Sequence, residues 1–165
     1  MGEARGTFRA MRRIRQAMSE EEALGIIAGA SFGVLALHGD KGYPYAVPVS
    51  YALVGMVLYF HSATNGHKVD AIVRDTRVSF AVVSRDEVRP ETFTTHFESV
   101  IVFGRARSVT DDDEKRSALM ALARKYSPDH MHEAVGEISS ERHRTAVFAI
   151  DVEHVTGKRA RELVE

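Results

Sequence analysis

The segment from Thr94 to Val109 constrains the fold of this chain more than any other. It is predicted to be one long strand, and its centre, Val100-Ile101-Val102-Phe103, is apolar at every position. A strand with one wet face alternates apolar and polar side chains, so this run predicts a strand that is covered on both sides. One face should lie in a core. In a domain this small, we expect a second copy of the chain to cover the other face.

Five further strands and several helices are predicted around this strand. The other strands are residues 32–37, 43–53, 56–61, 78–84 and 145–155. The helices are residues 19–30, which start with the capping box Ser19–Glu22, residues 66–74, residues 110–126, and a short C-terminal helix from Gly157. Residues 127–140 are predicted to be a polar connection with a short helical turn. Six mostly antiparallel strands with helices at the rim predict a small closed barrel in the mainly β, α+β class.

The composition restricts the classes of protein to which the chain can belong. Its 165 residues are 44% hydrophobic and 27% charged, which predicts one folded domain over residues 1–165. The net charge of −1 provides no general attraction to nucleic acid or anionic lipid. No apolar run approaches the roughly 20 residues that span a bilayer. The chain has no cysteine, which excludes disulfides and thiolate chemistry and is compatible with a cytoplasmic location.

The N-terminal 18 residues are strongly basic. They contain five arginines and a single glutamate, and they lack the apolar centre of a secretory signal. We therefore expect residues 1–18 to form a basic arm that lies across its own domain or across a partner subunit.

The stretch Tyr59–Lys68 suggests an anion site. A strand is predicted to end here and to pass through a polar turn into a helix with Asn65 as its N-cap. The unpaired N–H groups of a first helical turn and the positive end of the helix dipole attract anions. Lys68 adds a positive charge and Ser62 adds a hydroxyl donor, so a phosphate is the expected ligand. The alternative is a capped helix that follows a strand and binds nothing.

Four motifs occur together along the chain: Gly42–Tyr51, Tyr59–Ser62, Gly66–Lys68 and Phe97–Ala106. In this order they resemble the FMN-binding split-barrel proteins related to pyridoxamine 5′-phosphate oxidase. Within that group, the chain most resembles the nitroimidazole-resistance branch, which Met11–Arg13 and Thr156–Lys158 also match. The resemblance implies a six-stranded antiparallel split β-barrel with peripheral helices. It also implies a homodimer with two FMN molecules in the groove between the subunits.

The resemblance further implies which residues contact the flavin. In such proteins the phosphate is held after the third strand, the second strand runs along the isoalloxazine ring, and the long interface strand faces the flavin. In this sequence these positions are Ser62, His67 and Lys68 for the phosphate, Val47, Pro48, Val49 and Ser50 along the ring, His61 close to the ring, and Ser99 and Val100 on the interface strand. The oxidases grip their substrate with a tryptophan and a basic C-terminal cluster. This chain has no tryptophan, so we do not expect it to oxidise vitamin B6.

The sequence contains no recognisable catalytic machinery of its own. It has no Walker loop and no G-x-G-x-x-G fingerprint, whereas a bound flavin carries its own redox chemistry. His61 is the candidate catalytic residue, because an imidazole can donate to a substrate oxygen. The alternative is that His61 orients the phosphate turn or fills space beside the flavin. His130 and His132 lack a third ligand at a characteristic spacing, so no metal site is predicted.

These observations predict a homodimeric, FMN-dependent oxidoreductase that reduces or oxidises a small molecule, with nitro compounds among the candidates. A nicotinamide donor, if one is used, would dock transiently over the exposed ring. Two alternatives stay open. One is a non-enzymatic module that stores, senses or carries a flavin or a haem, and the other is a deazaflavin-dependent reductase on the same fold. No nucleic acid or membrane partner is expected.

Overall fold

The computed structural model describes residues 7–164, in which four α-helices surround one antiparallel sheet of short and long strands. The helices are α1 (Glu20–Gly29), α2 (His67–Arg74), α3 (Asp112–Tyr126) and α4 (Met131–Glu141). The strands are β1 (Gly33–His38), β2 (Pro44–Val49), β3 (Ala52–Val54), β4 (Val57–Ser62), β5 (Arg77–Arg89), β6 (Thr94–Ser108) and β7 (Ala146–Arg159). Their order in the sheet is β2-β1-β5-β6-β7-β4-β3, and every neighbouring pair is antiparallel.

The predicted count of six strands is wrong, because the strand expected from Tyr43 to Leu53 is two strands. The chain leaves the ladder at Ser50 and Tyr51, between β2 and β3. There the backbone N–H of Tyr51 donates to the hydroxyl oxygen of Tyr126 on α3, at 2.9 Å. The backbone of Tyr51 is therefore satisfied by a side chain from a helix rather than by a neighbouring strand.

No strand pairing among residues 7–164 closes this sheet, so the prediction of a closed barrel is also wrong. The two strands at the ends of the sheet order, β2 and β3, are nevertheless joined by only two residues of chain. Because Val49 and Ala52 are three Cα–Cα steps apart, at most roughly 11 Å, the sheet has to curve until these ends of its two edge strands approach each other.

The long strand predicted from residue 94 is confirmed as β6, which pairs with β5 on one side and β7 on the other. Val100 and Val102 are fully buried in the core. Ile101, between them, points to the opposite face and is 42% exposed. One face of β6 therefore lies in the core, as predicted. The other face carries apolar side chains that the single chain does not bury completely.

The ends of the helices follow local capping chemistry for the most part. The capping box at the start of α1 is confirmed, with Ser19 Oγ accepting from Glu22 N and Glu22 accepting from Ser19 N. Asp111 caps α3 by accepting from Glu114 N. The polar connection predicted after α3 instead contains the 11-residue helix α4.

The predicted C-terminal helix from Gly157 is wrong, because Gly157, Lys158 and Arg159 continue strand β7. Their backbone is paired on both sides. Gly157 faces Val100 of β6, and its carbonyl oxygen accepts from the N–H of Met18 at 2.9 Å. A helix at this position would lose both sets of hydrogen bonds. A short 3₁₀ turn follows at Arg161–Leu163.

The described part of the N-terminal arm, residues 7–18, lies across its own domain. Ala17 bridges Lys158 of β7, and the ring of Phe8 stacks on His154 with 4.6 Å between ring centroids. Residues 1–6 of the predicted arm lie outside the described residues. Within residues 7–164, no helix is both long enough and apolar enough to cross a membrane.

The core lies inside the curved sheet, with α1 and α2 packed against it. Its largest fully buried side chains include Tyr51, Phe60, Phe80 and Phe148. A second, smaller buried cluster lies where α3 packs on β4 and β7 and contains Tyr59, Val109, Ala118, Val147 and Ala149. This second cluster holds α3 against β4, the strand that leads into the predicted site.

Candidate functional site

The turn between β4 and α2 has the open helix start that an anion site requires. β4 ends at Ser62 and α2 begins at His67. The N-cap is Gly66 rather than the predicted Asn65, and its φ of 121° is a conformation that glycine adopts most readily. No side chain within residues 7–164 caps this helix, and a Cβ added at Gly66 would meet none of their atoms within 4 Å. The N–H groups of the first turn are therefore left for a ligand or for water.

Lys68 lies in this first turn with a charge that no carboxylate of the described residues neutralises. Its Nζ is 5.7 Å from the centroid of the Phe60 ring, and none of the ion pairs found in residues 7–164 includes it. Partial burial lowers the pKa of Lys68 from its ordinary value. Binding an anion here would return a favourable partner to a partly desolvated ammonium group.

His67 is held by the protein itself. Its ring stacks on Tyr45 of β2, with centroids 4.0 Å apart and 15° between the planes. Its Nε2 lies 3.6 Å from Oδ2 of Asp40, and the same carboxylate binds Arg74 Nη2 at 2.6 Å. His67 thus connects α2 to the turn before β2. A phosphate contact from His67 would have to form beside the ion pair between Asp40 and Arg74.

The second strand presents an unpaired backbone edge. β2 pairs with β1 alone among the described strands, so its other edge is not hydrogen-bonded to a strand. Pro48 and Ser50 are exposed, Val47 is half-buried and Val49 is buried in the core. A planar ligand beside β2 could therefore contact the backbone of all four residues but the side chains of only some of them.

Ser99 and Val100 lie next to each other on β6, so their side chains point to opposite faces of the sheet. Val100 is fully buried, whereas Ser99 is half-buried and lies between Val83 of β5 and Lys158 of β7. Of the two side chains, Ser99 is the one that can reach a ligand outside the core.

His61 and Ser50 contribute to one cavity of about 520 Å³. His61 is exposed near the end of β4, and Ser50 is exposed where β2 ends. The opposite wall comes from α3 and α4, including Leu122, Tyr126 and Ile138. The structure therefore brings together two residues that are predicted to lie near the flavin ring.

The α4 side of this cavity is not among the predicted site residues, because the sequence predicts a polar connection with a short helical turn over residues 127–140. The sequence does contain a pattern that indicates helix α4. Ala134 and Ile138 are four residues apart, as on one face of a helix, and both line the cavity. A second cavity of about 550 Å³ lies between β1, β5 and the turn before β2, and it contains none of the residues predicted to contact flavin.

His130 and His132, the two histidines considered as metal ligands, lie in different secondary-structure elements. His130 ends a 3₁₀ turn and His132 lies in the first turn of α4. No group of three or more histidine, aspartate or glutamate side chains within residues 7–164 is arranged to hold a metal ion.

Comparison with known proteins places these features in a family context. The sequence profile of the family described as pyridoxamine 5′-phosphate oxidase matches residues 19–159, which include every predicted site residue. Among curated proteins, the comparison finds no significant match.

Several solved structures share the fold. A candidate 5-nitroimidazole antibiotic resistance protein from Bacteroides thetaiotaomicron is 22% identical, with a TM-score of 0.73, over 86% of this chain and 85% of that one. The FAD and haem binding protein from Mycobacterium smegmatis is 22% identical, with a TM-score of 0.76, over 88% and 73%. An FAD-binding protein from Mesorhizobium loti is 25% identical, with a TM-score of 0.60, over 87% and 96%. The structural neighbours thus include proteins that bind FAD and haem.

Proposed function

Because the chain belongs to the pyridoxamine 5′-phosphate oxidase family, we propose that it is an FMN-binding oxidoreductase that reduces or oxidises a small molecule. Its FMN phosphate would bind at the start of α2, and its isoalloxazine ring would lie along the free edge of β2. The cytoplasm is the compartment we propose, in keeping with the absence of cysteine.

The observation that carries this proposal is the start of α2. Within the part of the chain that the structure describes, an uncapped first turn, an open Gly66 and a half-buried Lys68 without a carboxylate partner are found at the same place. Each feature favours a negative charge, and together they suit a phosphate dianion. Ser62, at the end of β4, supplies a hydroxyl donor at the entrance to the same turn.

The curvature of the sheet supports the proposal of a flavin-binding fold. The edge strands β2 and β3 are joined through Ser50 and Tyr51, so the seven strands curve toward a barrel without a closing ladder. We propose that this is a split barrel of the FMN-binding type. In it, the unpaired edge of β2 is available for backbone contacts with a flavin.

When bound, the flavin would supply the electron transfer. The residues of the chain would bind and orient it. Lys68 and the first turn of α2 would hold the phosphate, and Pro48 and Ser50 would border the ring. His61, exposed at the cavity beside Ser50, would hold a proton at a nitrogen within reach of a substrate oxygen.

We also propose a homodimer. The face of the sheet turned away from the core carries a cross-strand row of Val34, Ala81 and Ile101, which are register partners on β1, β5 and β6. Val83 continues this face on β5 and is 62% exposed. An apolar face of this kind, continuous over three strands, is typical of a surface that is buried against a second copy.

The alternatives differ in cofactor and in activity. The structural neighbour from Mycobacterium smegmatis that binds FAD and haem keeps open a cofactor-carrying or sensing module without turnover. A deazaflavin would satisfy the same phosphate site. Nitro compounds are the proposed acceptors because of the structural likeness to the candidate nitroimidazole resistance protein.

Reconstitution tests the proposal. The purified protein is incubated separately with FMN, FAD, a deazaflavin and haem, freed of unbound cofactor, and examined by absorption spectroscopy and light scattering. We expect a dimer that retains FMN and oxidises NADH or NADPH with matching reduction of an added nitroaromatic. Retention of haem alone would contradict the flavin assignment, and retention of FMN without turnover would favour the non-enzymatic module.

A further inference from the structure

The cavity between the sheet and the α3–α4 hairpin has an apolar wall that the flavin assignment does not use. Leu119, Leu122 and Ala123 of α3 form one part of this wall, and Ala134 and Ile138 of α4 form another. At about 520 Å³ the cavity is within the range that small-molecule ligands occupy. His61 at the end of β4 and Ser50 after β2 are polar lining residues contributed by the sheet.

The charges of the residues that line this cavity do not cancel. The guanidinium group of Arg142 is engaged by Asp112, with Nε 3.1 Å and 3.2 Å from the two carboxylate oxygens. Glu137 has no ion pair within residues 7–164, and Glu141 has only the exposed Arg144, at 3.8 Å. The cavity therefore presents two carboxylates whose charge is little compensated. An anionic ligand would be repelled there.

We propose that this cavity binds the small-molecule substrate, and that it selects uncharged or cationic ring compounds against carboxylates and phosphates. This inference rests on the proposed function, because it places the substrate at the end where His61 and Ser50 border the flavin. The apolar wall favours a flat hydrocarbon or heteroaromatic ring. Glu137 and Glu141 supply the selection by charge.

Three probes with one ring and different charges test the inference: 4-nitrobenzyl alcohol, 4-nitrobenzylamine and 4-nitrobenzoate. Their dissociation constants are measured by ligand-observed NMR titration, with the protein both as purified and after loading with FMN. We expect the alcohol and the amine to bind about tenfold more tightly than the benzoate. The double substitution Glu137→Gln and Glu141→Gln should remove most of this difference.

A cavity-filling variant tests the location. Ala134→Leu should weaken binding of the alcohol and the amine about tenfold while FMN binding, followed by quenching of flavin fluorescence, stays unchanged. Ala121→Leu is the matched control, because Ala121 is on α3 but lines a different groove with Val54 and Met120. If Ala134→Leu does not fold, Ala123→Leu fills the same cavity from α3.

Equal binding of the three probes, or unchanged binding in both filling variants, would overturn the inference. The outcome is separable from that of the proposed function. A protein that shows the charge selection but never binds a flavin would retain the cavity assignment and lose the proposed function. A protein that binds FMN through Lys68 but shows no probe selection would do the reverse.

Discussion

The hydroxyl oxygen of Tyr126 accepts a hydrogen bond from the backbone N–H of Tyr51 at 2.9 Å and lies 2.8 Å from the carbonyl oxygen of the same residue. This one side chain, at the end of α3, thus supplies the acceptor for the N–H of Tyr51 and lies beside its carbonyl group, at the point where β2 passes into β3. It also lies 2.6 Å from the carbonyl oxygen of Ser31 and lines the cavity beside Ser50. The same side chain therefore contacts the backbone where the sheet bends and forms part of the cavity wall.

Replacing this hydroxyl should therefore destabilise the fold. In Tyr126→Phe the ring remains, but the buried N–H of Tyr51 loses its acceptor, which costs about 1–3 kcal/mol of the free energy of unfolding. Urea denaturation measures the loss. Tyr43→Phe is the control, because Tyr43 is 75% exposed and its hydroxyl makes no hydrogen bond within residues 7–164. A Tyr126→Phe variant as stable as the wild type would show that Tyr51 finds another partner.

Acid should weaken the attachment of α3 to the sheet. Arg107 donates two hydrogen bonds to Glu114, at 3.0 Å and 2.8 Å, and these hold the pKa of Glu114 below its ordinary value of 4.5, against the opposing effect of burial. Tyr59 also donates to Glu114, at 2.8 Å. The pKa of Glu114 is lower in the folded state than in the unfolded state. The stabilisation is therefore fully present above the unfolded pKa and is lost as the pH falls from the unfolded pKa through the folded one.

The urea midpoint of the wild type should therefore fall more steeply between about pH 6 and about pH 3 than that of Glu114→Gln, which cannot titrate at this position. Glu133→Gln serves as the control, because Glu133 is exposed and forms no ion pair within residues 7–164. Parallel pH profiles for the wild type and Glu114→Gln would contradict this role of Glu114.

A charge on the apolar outer face of the sheet should separate the proposed dimer. Ile101 is 42% exposed in the single chain, so Ile101→Lys can fold while it opposes burial of this face. Light scattering should give a dimer for the wild type and a monomer for the variant, with unchanged circular dichroism. Val135→Lys, at an equally exposed position on α4, should remain dimeric. A variant at Ile101 that is still dimeric would place the interface elsewhere.

The features that could be predicted from the sequence are those decided within a few residues. The capping box at the start of α1 and the apolar run of β6 depend on neighbours in the chain, and both are confirmed. The N-cap of α2 is local too, but composition favours Asn65 where the backbone requires a φ of 121°, which Gly66 supplies. N-cap propensity ranks residue types by their average preference for that position. It does not include the backbone conformation that the rest of the fold imposes there.

The features that could not be predicted depend on distant parts of the chain. The break between β2 and β3 follows from a hydrogen bond to Tyr126, which is 75 residues away in sequence. The strand at Gly157 follows from pairing with the N-terminal arm at Met18 and with Val100. The cavity beside His61 exists only because α4 forms where a polar connection was expected. Each of these is a tertiary contact that overrides a local pattern.

The phosphate site at Lys68 is the central claim, and comparing FMN with riboflavin, which lacks the phosphate, tests it most directly. Dissociation constants are measured by flavin fluorescence for the wild type, Lys68→Ala and the control Lys115→Ala on α3. We expect Lys68→Ala to weaken binding of FMN by about 1–3 kcal/mol and to leave binding of riboflavin unchanged, because the lost interaction is a charge-assisted hydrogen bond to the phosphate. Equal effects on both flavins, or no effect on FMN, would contradict the assignment.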